Sequence, residues 1–141
     1  MRNLFFLLFA MGTLSAQAQS APSFDVPKNA VSQLEDVKEL TKAVAVFNPR
    51  KTKIQAEARP EVNRLLVLAA DDFLRITTNK PTKEAYLACL DRDLVRLAPL
   101  TNNTQDRQQI AQFFQELMEI VGLPSSEGRL TAFANSPAPK Q

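Results

Sequence analysis

Residues 110–133, IAQFFQELMEIVGLPSSEGRLTAF, decide how this chain is read. Ile110, Phe113, Phe114, Leu117, Ile120 and Val121 recur every three or four residues, the spacing of one apolar face of an α-helix. Gly122 follows directly, where helices commonly end in a left-handed residue that glycine adopts without strain. Leu123 is placed to fold back near Met118, and Pro124 stops the helix from resuming. Ser125-Ser126-Glu127-Gly128 is turn chemistry, and Leu130 and Phe133 are anchors that return the chain to the core. The competing reading is a phosphate-binding loop. Such a loop follows a strand and carries Gly-x-x-x-x-Gly-Lys-Ser/Thr. Here the glycines stand one residue too far apart, the segment follows a helix, and Arg129-Leu130 occupy the place of Lys-Ser/Thr. Gly122, Leu123, Pro124 and Gly128 are therefore a structural turn.

Working back from this stretch, the same periodicity recurs three times. Val31, Leu34, Val37, Leu40, Val44 and Phe47 form a first stripe, with Asn29 or Ser32 as a cap and Asn48-Pro49 as the stop. Pro60 suits the first turn of a second helix, whose stripe is Val62, Leu65, Leu66, Ala69, Phe73 and Ile76, ending at Thr77-Thr78-Asn79. Thr82 caps a third, with Leu87, Leu90, Leu94 and Leu97 as its seam and Pro99 as its end. The polar run Thr101–Thr104 is a loop with a cap at its end. No run alternates with the period of two that a half-buried strand requires. The expected fold is all-α: a single four-helix bundle, up-down-up-down because the connections are mostly short, with a short C-terminal segment packed back on it. The expected divisions are a leader at 1–18, an extended Pro-containing lead-in at 19–28, a helical domain at 29–134 and a flexible Pro-rich tail at 135–141.

The run Phe114-x-x-Leu117-Met118-x-Ile120-Val121-Gly122-Leu123-x-Ser125-Ser126-x-Gly128-x-Leu130, with Tyr86 and Asp91-Arg92 upstream, resembles a family of small bacterial proteins. That family is catalogued as a domain of unknown function, number 4844. The resemblance covers about Val31 to Phe133 and implies a compact helical domain. It implies no substrate, cofactor or catalytic residue.

The first residues, MRNLFFLLFAMGTLSAQAQS, have the three parts of a secretory signal: Arg2, an apolar core from Leu4 to Leu14, and the small-x-small site Ala16-Gln17-Ala18. The apolar run is short for a membrane span and no stop-transfer segment follows, so the expectation is cleavage after Ala18 without a stable membrane anchor. The chain is then soluble and exported, periplasmic or extracellular. Its formal net charge of +2, which falls further once Arg2 is removed, gives no electrostatic case for nucleic acid. The single cysteine, Cys89, cannot form an internal disulfide, so the fold relies on packing.

Histidine is absent, which removes Ser-His-Asp and Cys-His catalysis and the histidine ligands of catalytic zinc and di-iron bundles. Cys89 lies between Leu87 and Leu90, the surroundings of a packed, inert thiol. Asp71-Asp72, Asp91-x-Asp93 and Glu116-x-x-Glu119 are the carboxylate pairs; only the last places both side chains on one helical face. Ordinary surface pairing accounts for the others: Asp72 can meet Arg75, and Asp93 can meet Arg96. The basic segment Arg50–Arg64 carries no aromatic residue for stacking on nucleotides and reads as a solvated connector.

The pattern favours binding over catalysis, with no metal and no cofactor. The first expectation is a protein-interaction module, an adaptor or inhibitor in the cell envelope, with an unknown protein partner or a homodimer. Val46, Leu68, Leu74 and Met118 lie off the main stripes and are candidates for an exposed apolar patch. The second is a carrier for a small apolar ligand held between helices by Phe73, Tyr86, Phe113 and Phe114. The third, and least supported, is an enzyme built on Glu116 and Glu119.

Overall fold

The computed structural model describes residues 24–44, 46, 47 and 49–136. The leader at 1–18, the first part of the lead-in at 19–23, and the tail from 137 onward lie outside the described residues. Five α-helices carry the chain: α1 (Ala30–Ala43), α2 (Arg59–Thr78), α3 (Lys83–Leu97), α4 (Thr104–Val121) and α5 (Arg129–Asn135). A 3₁₀ turn, Ala98–Leu100, follows α3, and no strand occurs among the described residues. No described helix is long and apolar enough to cross a membrane.

The helix ends follow the local chemistry of the sequence. Thr82 Oγ1 accepts from the Ala85 N–H at 3.1 Å, and Asn103 Oδ1 accepts from the Gln105 and Asp106 N–H groups at 2.8 and 3.4 Å. Pro60 lies in the first turn of α2. At the end of α4, Gly122 is left-handed at φ 75°, and the Leu123 N–H reaches back to the Met118 carbonyl at 2.9 Å. Leu123 and Met118 are both buried, and Gly128, at φ 83°, leads into α5. The quoted stretch is thus a helix, a glycine stop and a short returning helix, with Leu130 and Phe133 in the core.

The contacts between α1 and α2, and between α2 and α3, run in opposite directions along the chain. Lys38 Nζ donates to Asp71 Oδ1 at 2.9 Å and Asn63 Nδ2 to the Thr41 carbonyl at 3.1 Å, so α1 ascends as α2 descends. Tyr86 with Thr77, and Arg92 with Asp72, give α2 and α3 the same relation. One continuous core joins Leu34, Leu66, Phe73, Tyr86, Leu90, Leu97, Ile110, Phe114 and Leu117 among others. A large apolar side chain buried there contributes about 1.5–3 kcal/mol, which is what holds a fold without internal disulfides. Phe24 meets Tyr86 in a tilted ring contact, 5.5 Å between ring centres, so the end of the lead-in is part of the packing.

Three expectations need correction. First, α1 stops at Ala43 and Val44 is extended, short of the expected stop at Asn48-Pro49. Leaving the helix early lets Phe47 enter the core from the connector. The buried face of α1 is Ala30, Leu34 and Thr41, whereas Leu40 and Val44 of the expected stripe are 65% and 59% exposed. Second, Asn29 precedes α1 but its side chain makes no capping bond. Third, the basic connector is not a free, solvated loop. Thr52 Oγ1 and the Lys53 N–H both donate to the buried Asp106 carboxylate, at 2.8 and 2.9 Å, and Ile54 is buried.

Beside Asp106, the Arg107 guanidinium is buried and pairs with no carboxylate among the described residues. It donates to the carbonyls of Thr101 and Ala98 at 2.8 and 3.0 Å, and to those of Phe133 and Ser136 at 3.3 and 3.5 Å. Its carbon also lies 5.2 Å from the centre of the Phe133 ring. One side chain thereby bonds carbonyls at the ends of both α3 and α5, two of which, Ala98 and Phe133, otherwise accept only a backbone bond of 3.4 Å among the described residues. The short α5 is tied to the bundle through it.

Candidate functional site

The early exit of α1 leaves an apolar surface uncovered. Val37, Leu40, Thr41, Val44 and Val46 form one wall of a depression of about 300 Å³, and Phe113 and Glu116 of α4 form the other. Val37 and Leu40 are three residues apart on α1, and the extended Val44 continues their apolar edge past the end of the helix. Gln109 Nε2 donates to the Val46 carbonyl at 2.8 Å and fixes the end of the connector against α4. The connector is thereby tied to α4 while Leu40 and Val44 at the rim face solvent.

A second feature links α1, α2 and α3 by charge. Lys38 pairs with Asp71, Arg75 with both Asp71 and Asp72, and Arg92 with both Asp72 and Asp93. An open cleft of about 570 Å³ beside them is lined by Asp72, Arg75, Ile76, Asn79, Lys80 and Arg92. Asp72, Cys89 and Asp93 present ligand atoms within 4.8 Å of one another, a donor set that fits a cation. That place is taken by Arg92. Its Nη2 is 2.6 Å from Asp72 Oδ2 and 3.4 Å from Cys89 Sγ, and its Nε is 3.3 Å from Asp93 Oδ1. The guanidinium supplies the positive charge that the two carboxylates need.

Within this network Cys89 Sγ donates to Asp93 Oδ2 at 3.3 Å. Burial, reinforced by the Asp93 carboxylate, raises the thiol far above the ordinary cysteine value, so it stays protonated and unreactive. Burial likewise raises the Asp93 carboxyl, against the opposing pull of Cys89 and Arg92. The expected surface pair of Asp93 with Arg96 does not form among the described residues: Asp93 faces inward and meets Arg92 and Cys89. Asp91 pairs across the chain with Arg129 at 2.8 Å.

The four aromatic residues expected to line a ligand pocket separate into two pairs. Phe73 and Tyr86 lie 5.2 Å apart between α2 and α3, and Phe113 and Phe114 meet edge to face at 5.8 Å on α4. Phe73, Tyr86 and Phe114 are wholly buried in the core, and Phe113 alone borders the depression beside α1. Glu116 and Glu119 are both exposed; Glu116 edges the apolar groove and Glu119 accepts from Gln115 at 3.3 Å.

Of the residues expected to be surplus and exposed, Met118 is in the core, and Val46 and Leu74 are half-buried against it. Leu68 is also half-buried. Among the described residues, the exposed large apolar side chains are Val31, Leu40, Val44 and Val95. The sequence signal that could have found the groove is that the apolar residues of α1 and its exit span too wide an arc to be buried together: Ala30, Leu34 and Thr41 are buried, Val37 is half-buried, and Leu40 and Val44 are left exposed.

Residues 25–137 match the family described as a domain of unknown function (DUF4844). The chain is also similar to a crystal structure of a DUF3571 family protein from Acinetobacter baumannii AYE. That protein is 29% identical, with 76% of this chain and 92% of that chain covered and a TM-score of 0.60. No curated protein matches the chain.

Proposed function

The chain belongs to the DUF4844 family, and from that premise we propose that it is a non-catalytic protein-interaction module. In this reading it is a four-helix bundle of up-down-up-down topology, with α5 as the returning C-terminal segment. It is exported to the cell envelope after removal of residues 1–18, and α1 and α4 present the docking surface. The observation that carries the reading is the exposure of Leu40 and Val44, at 65% and 59%, beside a groove floored by Phe113. Large apolar side chains clustered at a depression mark interaction sites more strongly than single exposed ones do. Val95, 74% exposed on α3, is such a single residue.

Support also comes from how the other candidates are used up. The aromatic residues fill the core, the thiol is held protonated, and the ionic cluster is bridged by arginine. The test is a photo-crosslinking amino acid placed at Leu40 and, separately, at Val95 of the full chain in the cell that produces it. Crosslinks to another protein from position 40 and none from position 95 are expected. Equal capture from both positions, or none from either, overturns the interaction reading.

A further inference from the structure

We infer that the α1–α4 groove takes an amphipathic helix of a partner protein whose apolar stripe is flanked by lysine or arginine. This inference rests on the interaction reading above and names the chemistry of the partner. The groove has the form of a helix-binding trough: an edge made by Val37 and Leu40 of α1 and by Val44 just beyond it, a facing wall at Phe113, and a depression of about 300 Å³ between them. A docked helix meets such a trough with side chains at i, i+3, i+4 and i+7.

The charge around the trough selects the sign of the flanks. Both lysines of α1 are engaged, Lys38 with Asp71 and Lys42 with Glu39. The acids beside the trough are not. Glu116 lines it on the α4 side, and Asp36 stands four residues before Leu40, one turn away on the outer side of the ridge. Neither makes a hydrogen bond or ion pair among the described residues, whereas Glu61, Asp71, Asp72, Asp91 and Glu127 all do. A helix lying over Leu40 therefore runs between two uncompensated carboxylates. Basic flanks meet both of them; acidic flanks are repelled by both. A second copy of this chain laid on the same face brings its own Asp36 and Glu116 to the contact, which the same electrostatics disfavours.

The experiment pans the full chain against a displayed library of amphipathic helices with a fixed apolar stripe and randomised flanking positions. Enrichment of lysine and arginine at the flanks is expected. The double variant Asp36→Lys/Glu116→Lys should weaken the selected basic helices by about 5- to 20-fold, two exposed pairs at a few-fold each. Both positions are exposed, so the variant keeps its fold, checked by circular dichroism. Neutral or acidic flanks, no enrichment over bare support, or binding unchanged by the double variant overturns the inference. So do crosslinks from Leu40 that land only in a second copy or in residues 1–23. Crosslinks from Leu40 into another protein, together with any of the panning failures, leave the interaction reading standing and remove the basic helix.

Discussion

Replacing Arg107 with methionine keeps an unbranched side chain in place but removes the guanidinium donors from four carbonyls, of which Ala98 and Phe133 keep only backbone bonds of 3.4 Å among the described residues. The two shortest bonds, to Thr101 at 2.8 Å and Ala98 at 3.0 Å, involve a charged donor. Bonds of that kind are worth about 1.5–3 kcal/mol each. The contact with the Phe133 ring adds about 0.5–1 kcal/mol. Against this gross loss stands the relief of a buried charge, which costs several kcal/mol to desolvate. The longer bonds to Phe133 and Ser136, at 3.3 and 3.5 Å, contribute little to stability but hold α5 in register. The net expectation is a destabilisation of about 3 kcal/mol, or about 10 °C in midpoint. Urea titration followed by circular dichroism at 222 nm measures it, and amide exchange across α5 should rise before the rest of the chain opens. Arg107→Lys should recover little, because one ammonium cannot fork between the end of α3 and the end of α5. A methionine variant within about 1 kcal/mol of the parent, or a fully stable lysine variant, refutes the reasoning.

Three further outcomes follow from the same geometry. Gly122→Ala should cost about 1–2 kcal/mol from its left-handed backbone alone, because the new methyl would meet Pro27 Cδ at an ordinary 3.4 Å; a loss well above this in urea titration would mean that the Pro27 contact dominates. Cys89 should resist alkylation in the native protein and react on the order of a hundredfold faster or more in denaturant; rapid native labelling would contradict its burial. The raised carboxyl of Asp93 binds its proton more tightly in the folded chain, so its contribution to stability is fullest below the unfolded value of about 3.9 and is lost as pH rises through the folded value. The stability of the parent relative to Asp93→Asn should therefore improve on acidification from pH 7 to 4, and a flat difference would show that Arg92 and Cys89 cancel the effect of burial.

Much of the helical layout follows from local rules. Thr82, Pro60, Gly122 and the leucine seam of α3 act through neighbours three or four residues away, so their meaning is contained in the chain. Cys89 is legible for the same reason, lying between two leucines that must face inward. The candidate site is less legible. Leu40 and Val44 continue the spacing of the core stripe, and only the approach of α2 and α4 decides that Leu34 and Thr41 are buried while those two stay exposed. Asp93 reads as a surface charge until Arg92 and Cys89 are seen around it.

The sequence by itself determined the caps and stops of α2, α3 and α4, the helical character of the described chain, and which family the chain resembles. Hydrogen bonds within one turn and apolar periodicity are sufficient for that. Only the tertiary structure decided which face of α1 is left open, that Asp106 anchors the basic connector, and that Arg107 gathers the ends of α3 and α5. Each of these joins groups far apart in the chain, as Thr52 and Asp106 or Arg107 and Phe133 are. A buried charge is stabilised by partners brought from elsewhere, and no local pattern in the sequence records which partners those will be.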